Sequence, residues 1–463
     1  MIRTRIAPSP TGSDVHVGSI ATALMNFAWA KKNKGQFVIR IEDTDRTRLV
    51  PGGEEKMLKT LQELGLIADE SPLVGGPYGP YRQSERLPFY KKYAEELIEK
   101  GKAYYCTCSP ERLDLMRKEQ QLKKQIPKYD RLCLHDQEKI KKEIQNGAKY
   151  VVRLLIPEGE ISFTDVVRGS IKVIGSNLDD QVILKSDGFP TYHLGVVVDD
   201  HLMKITHVFR GEEWLPSTPK HIVLYRAFGW ELPVFGHISL LRNPDKSKLS
   251  KRKNPVWASD YIEKGIFSEA LINYLALMGW SHPEGKEIFD LDEYIRVFDI
   301  KDVQTTAPVF DPVKLEWMNG VYIRQSQKSK VKSQIIEFYK TQSIVLDEDL
   351  VEKTIPLIQE RIKKLSDYLP MCEFFFKAPK QFEIDLSEKK LLLEQISNDL
   401  EKVNEWTVEN VGNQLVQTAK NSGLKNSEFF MLLRVAITGK KISPPLNESM
   451  EILGKKECLD RLE

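Results

Sequence analysis

In the stretch RIAPSPTGSDVHVGS, residues 5–19, a predicted strand ends in a loop with two prolines and a glycine, and a helix follows directly. The strand covers residues 3–7, and apolar residues at helical spacing predict the helix over residues 19–32. A second strand follows in QFVIRIEDTD, residues 36–45. Strand, loop, helix and strand make one βαβ unit, which builds parallel sheets with ligand sites at the carboxyl ends of the strands.

The loop ends with His16 and Gly18 at the mouth of this helix. A helix N-terminus carries unpaired N–H groups and a partial positive charge, so it favours phosphate. His16 can donate to a phosphate oxygen, and Gly18 lets a flat ring or a backbone approach closely. Taken alone, so short a motif fits equally well with an ordinary turn that carries a surface histidine.

A second candidate site is the loop LLRNPDKSKLSKRKNP, residues 240–255. Its cationic side chains include Lys246, Lys248, Lys251, Arg252 and Lys253. Most charge runs are solvated loops. The functional alternative is a mobile clamp that places ammonium groups on a polyphosphate as charge develops.

The bulk properties indicate an intracellular enzyme of several domains. The chain has 463 residues, which predicts two to four domains, and a composition of 41% hydrophobic and 29% charged residues is typical of globular proteins. A net charge of +2 excludes a strongly basic nucleic-acid coat but not a basic patch. Neither a secretory signal nor a membrane-spanning run is predicted, so we expect a cytoplasmic location without membrane association.

The two loops together resemble those of a known family. HVGS at residues 16–19 resembles the HIGH motif, and KLSKR at residues 248–252 resembles the KMSKS motif, of class I aminoacyl-tRNA synthetases. The longer segments RIEDTDRTR, GPYRQSERLPFY, DGFPTYHLGVVVDDH, RGEEWLPSTPKHIVLYRAFGW and FDPVKLEWMNGVYIR occur in the order found in bacterial-type glutamyl-tRNA synthetases. The resemblance runs from Arg3 to about Arg324 and is looser beyond.

This resemblance implies an α/β Rossmann-type class I catalytic domain with an inserted acceptor-end-binding domain, followed by a mostly α-helical anticodon-binding half. The expected boundaries are 1–95 and 186–252 for the two halves of the catalytic domain, 96–185 for the insertion, 253–322 for a stem-contact domain and 323–463 for the helical domain. The segments YVVRLLIP, residues 150–157, and QVILKSDGFPTYHLGVVVDDH, residues 181–201, are predicted to supply further strands.

In the family's reaction, a glutamate carboxylate attacks the α-phosphate of ATP, and the terminal adenosine of tRNA(Glu) then takes the glutamyl group. The resemblance implies catalytic roles for His16, Lys248 and Lys251, with His16 bonding phosphate and Lys251 stabilising the departing pyrophosphate. It implies that ATP contacts Gly18, Ser19, Leu241, Ser250, Lys251 and Arg252. Mg²⁺ is expected with ATP, because the leaving group is multiply charged.

Recognition of L-glutamate requires cations, and arginine suits a carboxylate because its planar group binds in bidentate fashion. By resemblance the glutamate-binding residues are Arg5, Ser9, Glu42, Tyr192 and Arg210. Glu42 is expected to pair with the substrate ammonium, although Arg5 and Glu42 could instead form a salt bridge with each other. Val196 stands where many family members have asparagine, so one polar contact to the substrate is missing.

A metal site is predicted in the insertion. Cys106, Cys108, Cys133 and His135 offer the thiolates and imidazole that tetrahedral Zn²⁺ prefers, with Tyr129 as a possible substitute ligand. Four protein ligands leave no open coordination position, so this zinc would be structural. The alternative is three ordinary reduced cysteines.

The last part of the chain, residues 323–463, has as many basic as acidic residues, so a general basic field does not recognise RNA there. A helical module that reads unstacked anticodon bases fits better. By resemblance Arg361 inspects the third anticodon base, and the alternative is a solvent-facing helix arginine.

Other functions fit the sequence less well. A relative that glutamylates a modified tRNA base would match only the catalytic half, and a glutaminyl-tRNA synthetase would end in β-barrels. A silent tRNA-binding protein would be expected to lose His16 or the lysines of KLSKR. Charging of tRNA(Gln) as well as tRNA(Glu) stays open, and the family is usually monomeric.

Overall fold

In the computed structural model, which describes residues 1–249 and 255–463, the first strand leads through the proline-containing loop into a buried helix. Ser250, Lys251 and Arg252, predicted above to bind ATP, lie outside the described residues. The chain divides into two units, residues 1–260 with 272–311 and residues 261–271 with 312–463. Across the described ranges, no helix has the length and apolar character needed to cross a membrane.

The strands of the described ranges are β1 (Arg3–Ile6), β2 (Gln36–Ile39), β3 (Ala103–Cys106), β4 (Val151–Leu154), β5 (Glu160–Asp165), β6 (Gly169–Ile174), β7 (Val182–Leu184), β8 (His207–Gly211) and β9 (Val234–Ile238). The α-helices that begin in the first unit are α1 (Val17–Lys32), α2 (Gly53–Glu63), α3 (Leu87–Glu99), α4 (Pro110–Leu122), α5 (Gln137–Gln145), α6 (Tyr192–Leu202), α7 (Thr218–Phe228), α8 (Ala258–Ile262) and α10 (Leu291–Val297).

The helices that begin in the second unit are α9 (Ser268–Ala276), α11 (Pro312–Gln325), α12 (Lys328–Thr341), α13 (Glu348–Ile358), α14 (Tyr368–Phe376), α15 (Lys390–Glu401), α16 (Val408–Asn421), α17 (Asn426–Thr438), α18 (Leu446–Leu453) and α19 (Lys455–Asp460). Short 3₁₀ helices occur at Gln83–Arg86, Leu132–Asp136, Gly175–Asn177, Glu212–Ser217, Ile300–Asp302, Leu365–Asp367 and Ser387–Lys389.

The strands that position the site are parallel. β1 pairs with β2, and β8 pairs with β9, both in parallel register. β1 lies beside β8, since the Thr206 N–H donates to the Arg3 carbonyl at 3.0 Å. The hairpin of β5 and β6 extends this arrangement, because β5 meets β9 at Asp165 and Phe235. A separate antiparallel sheet, ordered β3-β4-β7, supports the cysteine-containing segment.

The predicted βαβ unit is confirmed, but one strand prediction is wrong in part. In the segment 181–201 only β7 is a strand, whereas the valine-rich part forms α6. Val196, Val197 and Val198 are all buried in a core shared with α3 and α7. Burial on all sides removes the polar face that marks an amphipathic helix, so the β-branched run was misread as a strand.

In the second unit, helices α15 to α19 enclose their own apolar core. Leu400, Val411, Leu415 and Phe429 belong to it and are completely buried. The short segment 261–271 joins this unit through Asn319, whose side-chain oxygen accepts the Phe267 N–H at 2.8 Å. The prediction that the chain becomes mostly helical from about Phe267 is therefore confirmed.

Candidate functional site

The loop before α1 places His16 at the helix N-terminus. His16 is the N-cap residue, and its Nδ1 accepts the Gly18 N–H at 3.0 Å. When the imidazole is neutral, this bond places the ring proton on Nε2. A Cβ on residue 18 would lie 3.2 Å from His16 Nδ1, so a larger residue would push the imidazole aside. The local sequence therefore fixes both the tautomer and the orientation of His16.

The segment after the basic loop braces this cap. The Val17 N–H donates to the Val256 carbonyl at 2.8 Å. The Trp257 ring meets the His16 imidazole edge-on, with centroids 6.4 Å apart. The HVGS motif is therefore contacted by Val256 and Trp257, which directly follow the basic loop that contains KLSKR.

A cleft with a cavity of about 260 Å³ opens at the carboxyl ends of β1, β8 and β9, where open α/β sheets bind their ligands. Val196 lines it and is buried, whereas Ser9 is not among its lining residues. The residues predicted from the sequence that do line it are Arg5, His16, Gly18, Ser19, Glu42, Tyr192, Arg210, Leu241 and Lys248.

Arg210 lies at the end of β8 and is 6% exposed. Its guanidinium donates to Tyr192 Oη at 2.9 Å, to His237 Nε2 and His221 Nδ1 at 3.1 and 3.2 Å, and to Thr218 Oγ1 at 2.7 Å. Within residues 1–249 and 255–463, no carboxylate forms an ion pair with it. A buried cation with only neutral partners is costly, so the geometry favours an anionic ligand at this point.

The histidines around Arg210 are held neutral. Burial lowers the pKa of His221 well below its ordinary value, and the charge of Arg210 adds to this effect. Burial also lowers the pKa of His237, despite the neighbouring Asp165 carboxylate. His193, whose Nδ1 lies 3.1 Å from His221 Nε2, has its pKa lowered to about 4 by burial and nearby cations. Of these described side chains, Arg210 therefore carries the positive charge near neutral pH.

Arg5 and Glu42, which also line the cavity, do not pair with each other. Arg5 Nε lies 3.2 Å from Asp200, and Glu42 lies 3.1 Å from Arg40. Arg40 also reaches Asp200 at 2.7 Å, so two arginines and two carboxylates form one buried network. The alternative of an Arg5–Glu42 salt bridge is wrong for the described structure.

The pKa values within this network differ in direction. Burial opposes ionisation of Asp200, but Arg5 and Arg40 outweigh it and lower its pKa. For Glu42, burial outweighs the attraction of Arg40 and raises the pKa above its ordinary value. A bound ammonium beside Glu42 would favour its ionised form, which makes this carboxylate a suitable partner for an amino group.

Residues 240–249 of the basic loop bond to one another through backbone and side chains. The Asn243 side chain donates to Ser247 Oγ at 3.0 Å and to the Lys248 carbonyl at 3.1 Å, and the Leu249 N–H donates to the Leu241 carbonyl. Lys248 is exposed and lines the cleft. One lysine of the KLSKR motif therefore reaches the same cavity as His16.

Three of the predicted metal ligands lie together. The Sγ atoms of Cys106, Cys108 and Cys133 lie within 4.8 Å of one another, and such a cluster could hold a metal ion. His135 is not part of this group in the described structure. Instead the Tyr129 hydroxyl lies 3.5 Å from Cys106 Sγ and 3.3 Å from Cys108 Sγ.

The hydrogen bond between Cys106 and Cys133 shifts their pKa values in opposite directions, lowering that of Cys106 and raising that of Cys133. Hydrogen bonding with Cys133 lowers the pKa of Cys106 to about 4, and a bond with Tyr129 adds to this effect against the cost of burial. Arg153 also contributes, and its guanidinium lies 4.0 Å from the centre of the Tyr129 ring. Thiolate is the form of cysteine that binds metals.

Comparison with known protein families identifies the family to which the chain belongs. Residues 1–317 match the model for the catalytic domain of class I tRNA synthetases for glutamate and glutamine, and residues 330–463 match an anticodon binding domain. The chain is 46% identical over 482 residues to a glutamate–tRNA ligase of Acidothermus cellulolyticus, an alignment that covers all of this chain and 94% of that protein. The chain belongs to the glutamate–tRNA ligase family of class I tRNA synthetases.

Other members support the same assignment. A glutamate–tRNA ligase of Acinetobacter baumannii is 44% identical, with all of this chain and 92% of that protein aligned. Among solved structures, a glutamate tRNA ligase from Elizabethkingia meningosepticum in complex with its amino acid superposes with a TM-score of 0.90 at 35% identity, covering 100% of this chain and 98% of that one. The predicted family and the predicted fold class, a catalytic domain followed by a helical anticodon-binding domain, are confirmed.

In the helical unit of this synthetase, Arg361 is exposed and donates to the Ser443 carbonyl at 3.3 Å. Arg434 donates to the same carbonyl, and burial together with the charge of Arg361 lowers the pKa of Arg434. Two arginines thus share one acceptor beside the turn before α18. The resemblance singled out Arg361, whereas nothing in the sequence indicated Arg434.

Several polar residues that do not line the cavity, but bond to its charged residues or to their partners, were not identified from the sequence. They are Arg40, Asp165, Asp200, Thr218, His221 and His237. The one available signal was a charged residue inside an apolar strand pattern, as Arg40 is in FVIRIED. Asp200 and Asp165 bond to Arg5 and His237, which are 195 and 72 positions away, so no local spacing indicates them. Thr218 and His221 lie only 8 and 11 positions after Arg210, but no motif marks them as its partners.

Proposed function

We propose that this chain catalyses the ATP-dependent ligation of L-glutamate to the 3′-terminal adenosine of tRNA(Glu) through a glutamyl-adenylate. The observation that carries the proposal is the buried guanidinium of Arg210, which has only neutral partners among the described residues and faces the cavity that His16 also lines. A site for a side-chain carboxylate beside a site for phosphate fits glutamate activation and does not fit activation of a neutral amino acid.

In the first step the α-carboxylate of glutamate attacks the α-phosphate of ATP, and pyrophosphate leaves. The carboxylate is already ionised, so the protein contributes positioning and charge stabilisation and needs no nucleophile of its own. His16 donates from Nε2 to a phosphate oxygen, Gly18 lies under the adenine, and Lys248 with Lys251 stabilises the charge of the departing group. ATP enters as its Mg²⁺ complex, which neutralises part of the phosphate charge.

Arg210 binds the side-chain carboxylate of glutamate, with Tyr192 beside it, and Arg5 adds positive potential from the neighbouring strand β1. Glu42 binds the substrate ammonium. Val196 presents an apolar surface where many relatives offer an amide, so a water molecule takes the place of that amide beside the substrate. Ser9 is assigned to the pocket by resemblance only, since the described cavity does not include it.

In the second step the 2′-hydroxyl of the tRNA terminus attacks the acyl carbon of the glutamyl-adenylate, which forms the ester bond and releases AMP and the hydroxyl proton. The five-part division given above remains part of this proposal: residues 96–185 meet the acceptor end, residues 253–322 contact the stem, and residues 323–463 read the anticodon, with Arg361 at the third base. We further propose a monomeric, cytoplasmic enzyme without membrane association.

The test of the function is charging of purified tRNA(Glu) and tRNA(Gln) side by side with labelled glutamate and with labelled glutamine. We expect ATP-dependent attachment of glutamate to tRNA(Glu) and none of glutamine. Attachment of glutamate to tRNA(Gln) as well would identify a non-discriminating enzyme. A protein that binds tRNA(Glu) but releases no pyrophosphate with glutamate would instead be a catalytically silent tRNA-binding protein.

Zinc is proposed as a structural metal held by Cys106, Cys108 and Cys133. The donor set fits, because three sulfur atoms lie within 4.8 Å of one another, and thiolate sulfur is a ligand that Zn²⁺ prefers. The fourth ligand is His135 or Tyr129, and the position of the Tyr129 hydroxyl favours tyrosine. Zinc at this place would hold β3 against the 3₁₀ turn Leu132–Asp136.

Elemental analysis of chelator-washed protein is expected to find about one zinc per chain. Cys133→Ser should lose the metal, and Cys372→Ser, a buried cysteine of the other unit, should keep it. Tyr129→Phe and His135→Ala compared in the same assay identify the fourth ligand. A fully active wild-type protein without metal would show that the cluster is three reduced cysteines.

A further inference from the structure

The Nε–H of Arg210 donates to a histidine rather than to a carboxylate or a backbone carbonyl. Its acceptor is Nε2 of His237, a fully buried residue of β9. A neutral imidazole can accept at Nε2 only when its proton is on Nδ1. The orientation of Arg210 therefore depends on which tautomer His237 adopts.

Asp165 fixes that tautomer. Its Oδ2 lies 2.6 Å from His237 Nδ1, and both side chains are completely buried. Its Oδ1 accepts the backbone N–H groups of Val167 and Arg168 at 2.9 and 2.8 Å. Because both oxygens act only as acceptors, the carboxylate is ionised and cannot rotate without losing bonds on one side.

The turn that carries Asp165 also holds the wall of the cleft. Arg168 donates to the His237 carbonyl at 3.1 Å and to Ser239 Oγ at 2.7 Å, and it pairs with Glu212 at 2.7 Å. Ser239 lines the cavity. The β5–β6 turn, residues 165–169, is therefore hydrogen-bonded to His237 in β9 and to Ser239, which directly follows β9.

We infer that Asp165 and His237 are positioning residues that aim the guanidinium of Arg210 at the side-chain carboxylate of the substrate. The inference rests on the proposed function and assigns its glutamate specificity to a relay that begins in the β5–β6 hairpin. The four bonds around Arg210 use four of the five N–H groups of a guanidinium, so a fixed remaining N–H and the full charge face the ligand. Without the hydrogen bonds from Asp165 through His237, the guanidinium of Arg210 would not be held in one orientation towards the substrate carboxylate.

Asp165→Asn tests the relay with almost no change of volume. An amide has one carbonyl oxygen and one NH₂ group, so it must either donate to His237 Nδ1 or turn its NH₂ towards the backbone N–H groups of Val167, Arg168 and His237. In the first case His237 takes the wrong tautomer, and its Nε2–H faces the Nε–H of Arg210. We expect KM for glutamate to rise about 10- to 100-fold, the scale of one hydrogen bond to a charged group, with KM for ATP unchanged.

Glu160→Gln is the matched control, since this residue lies on the same strand but is exposed and pairs only with Lys172 among the described residues. It should leave KM for both substrates at the wild-type value. If wild-type protein charges tRNA(Glu) and Asp165→Asn keeps the wild-type KM for glutamate, the relay is refuted while the function stands. If wild-type protein does not charge glutamate at all, the proposed function itself fails.

A double-substitution cycle separates positioning from a structural role. In His237→Gln the side-chain oxygen can accept from Arg210 without a particular tautomer, so adding Asp165→Asn should raise KM for glutamate by less than about threefold. An equal effect of Asp165→Asn in both backgrounds would refute the relay. Should Asp165→Asn fail to fold, His237→Leu must raise KM for glutamate where His237→Gln restores it, and equal values for these two variants would also refute it.

Discussion

Arg210→Gln is expected to lower kcat/KM for glutamate by more than about 2 kcal/mol in transition-state terms, because the substituted side chain leaves the substrate carboxylate without its cation in a desolvated site. Arg210 is almost completely buried, and its partners Tyr192, Thr218, His221 and His237 carry no charge that could replace it. The kcat/KM for glutamine should fall far less. The ratio of kcat/KM for glutamate to kcat/KM for glutamine should therefore decrease, because the value for glutamate falls. Glutamate and glutamine are nearly isosteric, so charge and not size must separate them.

The measurement is tRNA-dependent pyrophosphate exchange with glutamate and with glutamine, for wild type and variant. Arg226→Gln on α7 is the matched control, since this arginine is exposed and donates to the Ser162 carbonyl, away from the cavity. Arg5 can compensate in part, which would reduce the loss without reversing its direction. An unchanged ratio of glutamate to glutamine use would mean that Arg210 does not read the side chain, and the pocket would then centre on Arg5.

The sequence predicts the parts of this fold that obey local rules. The turn at residues 5–19 ends a strand and caps a helix, so its residues alone indicate a βαβ unit and the position of His16. Helical periodicity likewise predicts α13, because its buried residues Val351, Thr354, Ile355 and Ile358 recur at helical spacing. In α6 the pattern fails, since Val196, Val197 and Val198 are buried together and no polar face marks the helix.

The site divides in the same way. Residues inside contiguous motifs, such as His16, Glu42 and Arg210, could be identified from the sequence. The groups that orient them could not, because Asp165 and His237 are 72 positions apart and meet only through parallel pairing of β5 with β9. Asp200 is a similar case, since its two arginine partners come from β1 and from the residue after β2. Sequence motifs thus indicate the groups that line the cavity, and the sheet topology brings together the groups that hold them.

One lysine proposed to act on the phosphates of ATP is assigned from the sequence motif alone. Lys251 is the second lysine of KLSKR, and it follows the described part of the loop, which ends at Leu249. The described part already shows Lys248 at the cavity and the loop braced by Asn243. Residues beyond the motif return to the His16 cap through Val256 and Trp257. We propose that Lys251, which lies between these two segments in the sequence, acts on the phosphates assigned to His16.

Lys251→Ala is therefore expected to slow formation of the adenylate by about 10²–10³-fold, the scale for loss of one preorganised donor at developing charge. Affinity for glutamate should change little, because Arg210 and Glu42 bind the amino acid elsewhere in the cleft. Single-turnover release of pyrophosphate measures the step directly, and equilibrium binding of glutamate measures the affinity. Lys246→Ala is the matched control, since it removes an exposed lysine of the same loop that does not line the cavity. Activation at the wild-type rate in Lys251→Ala would show that the loop is a solvated charge run and not a clamp on ATP.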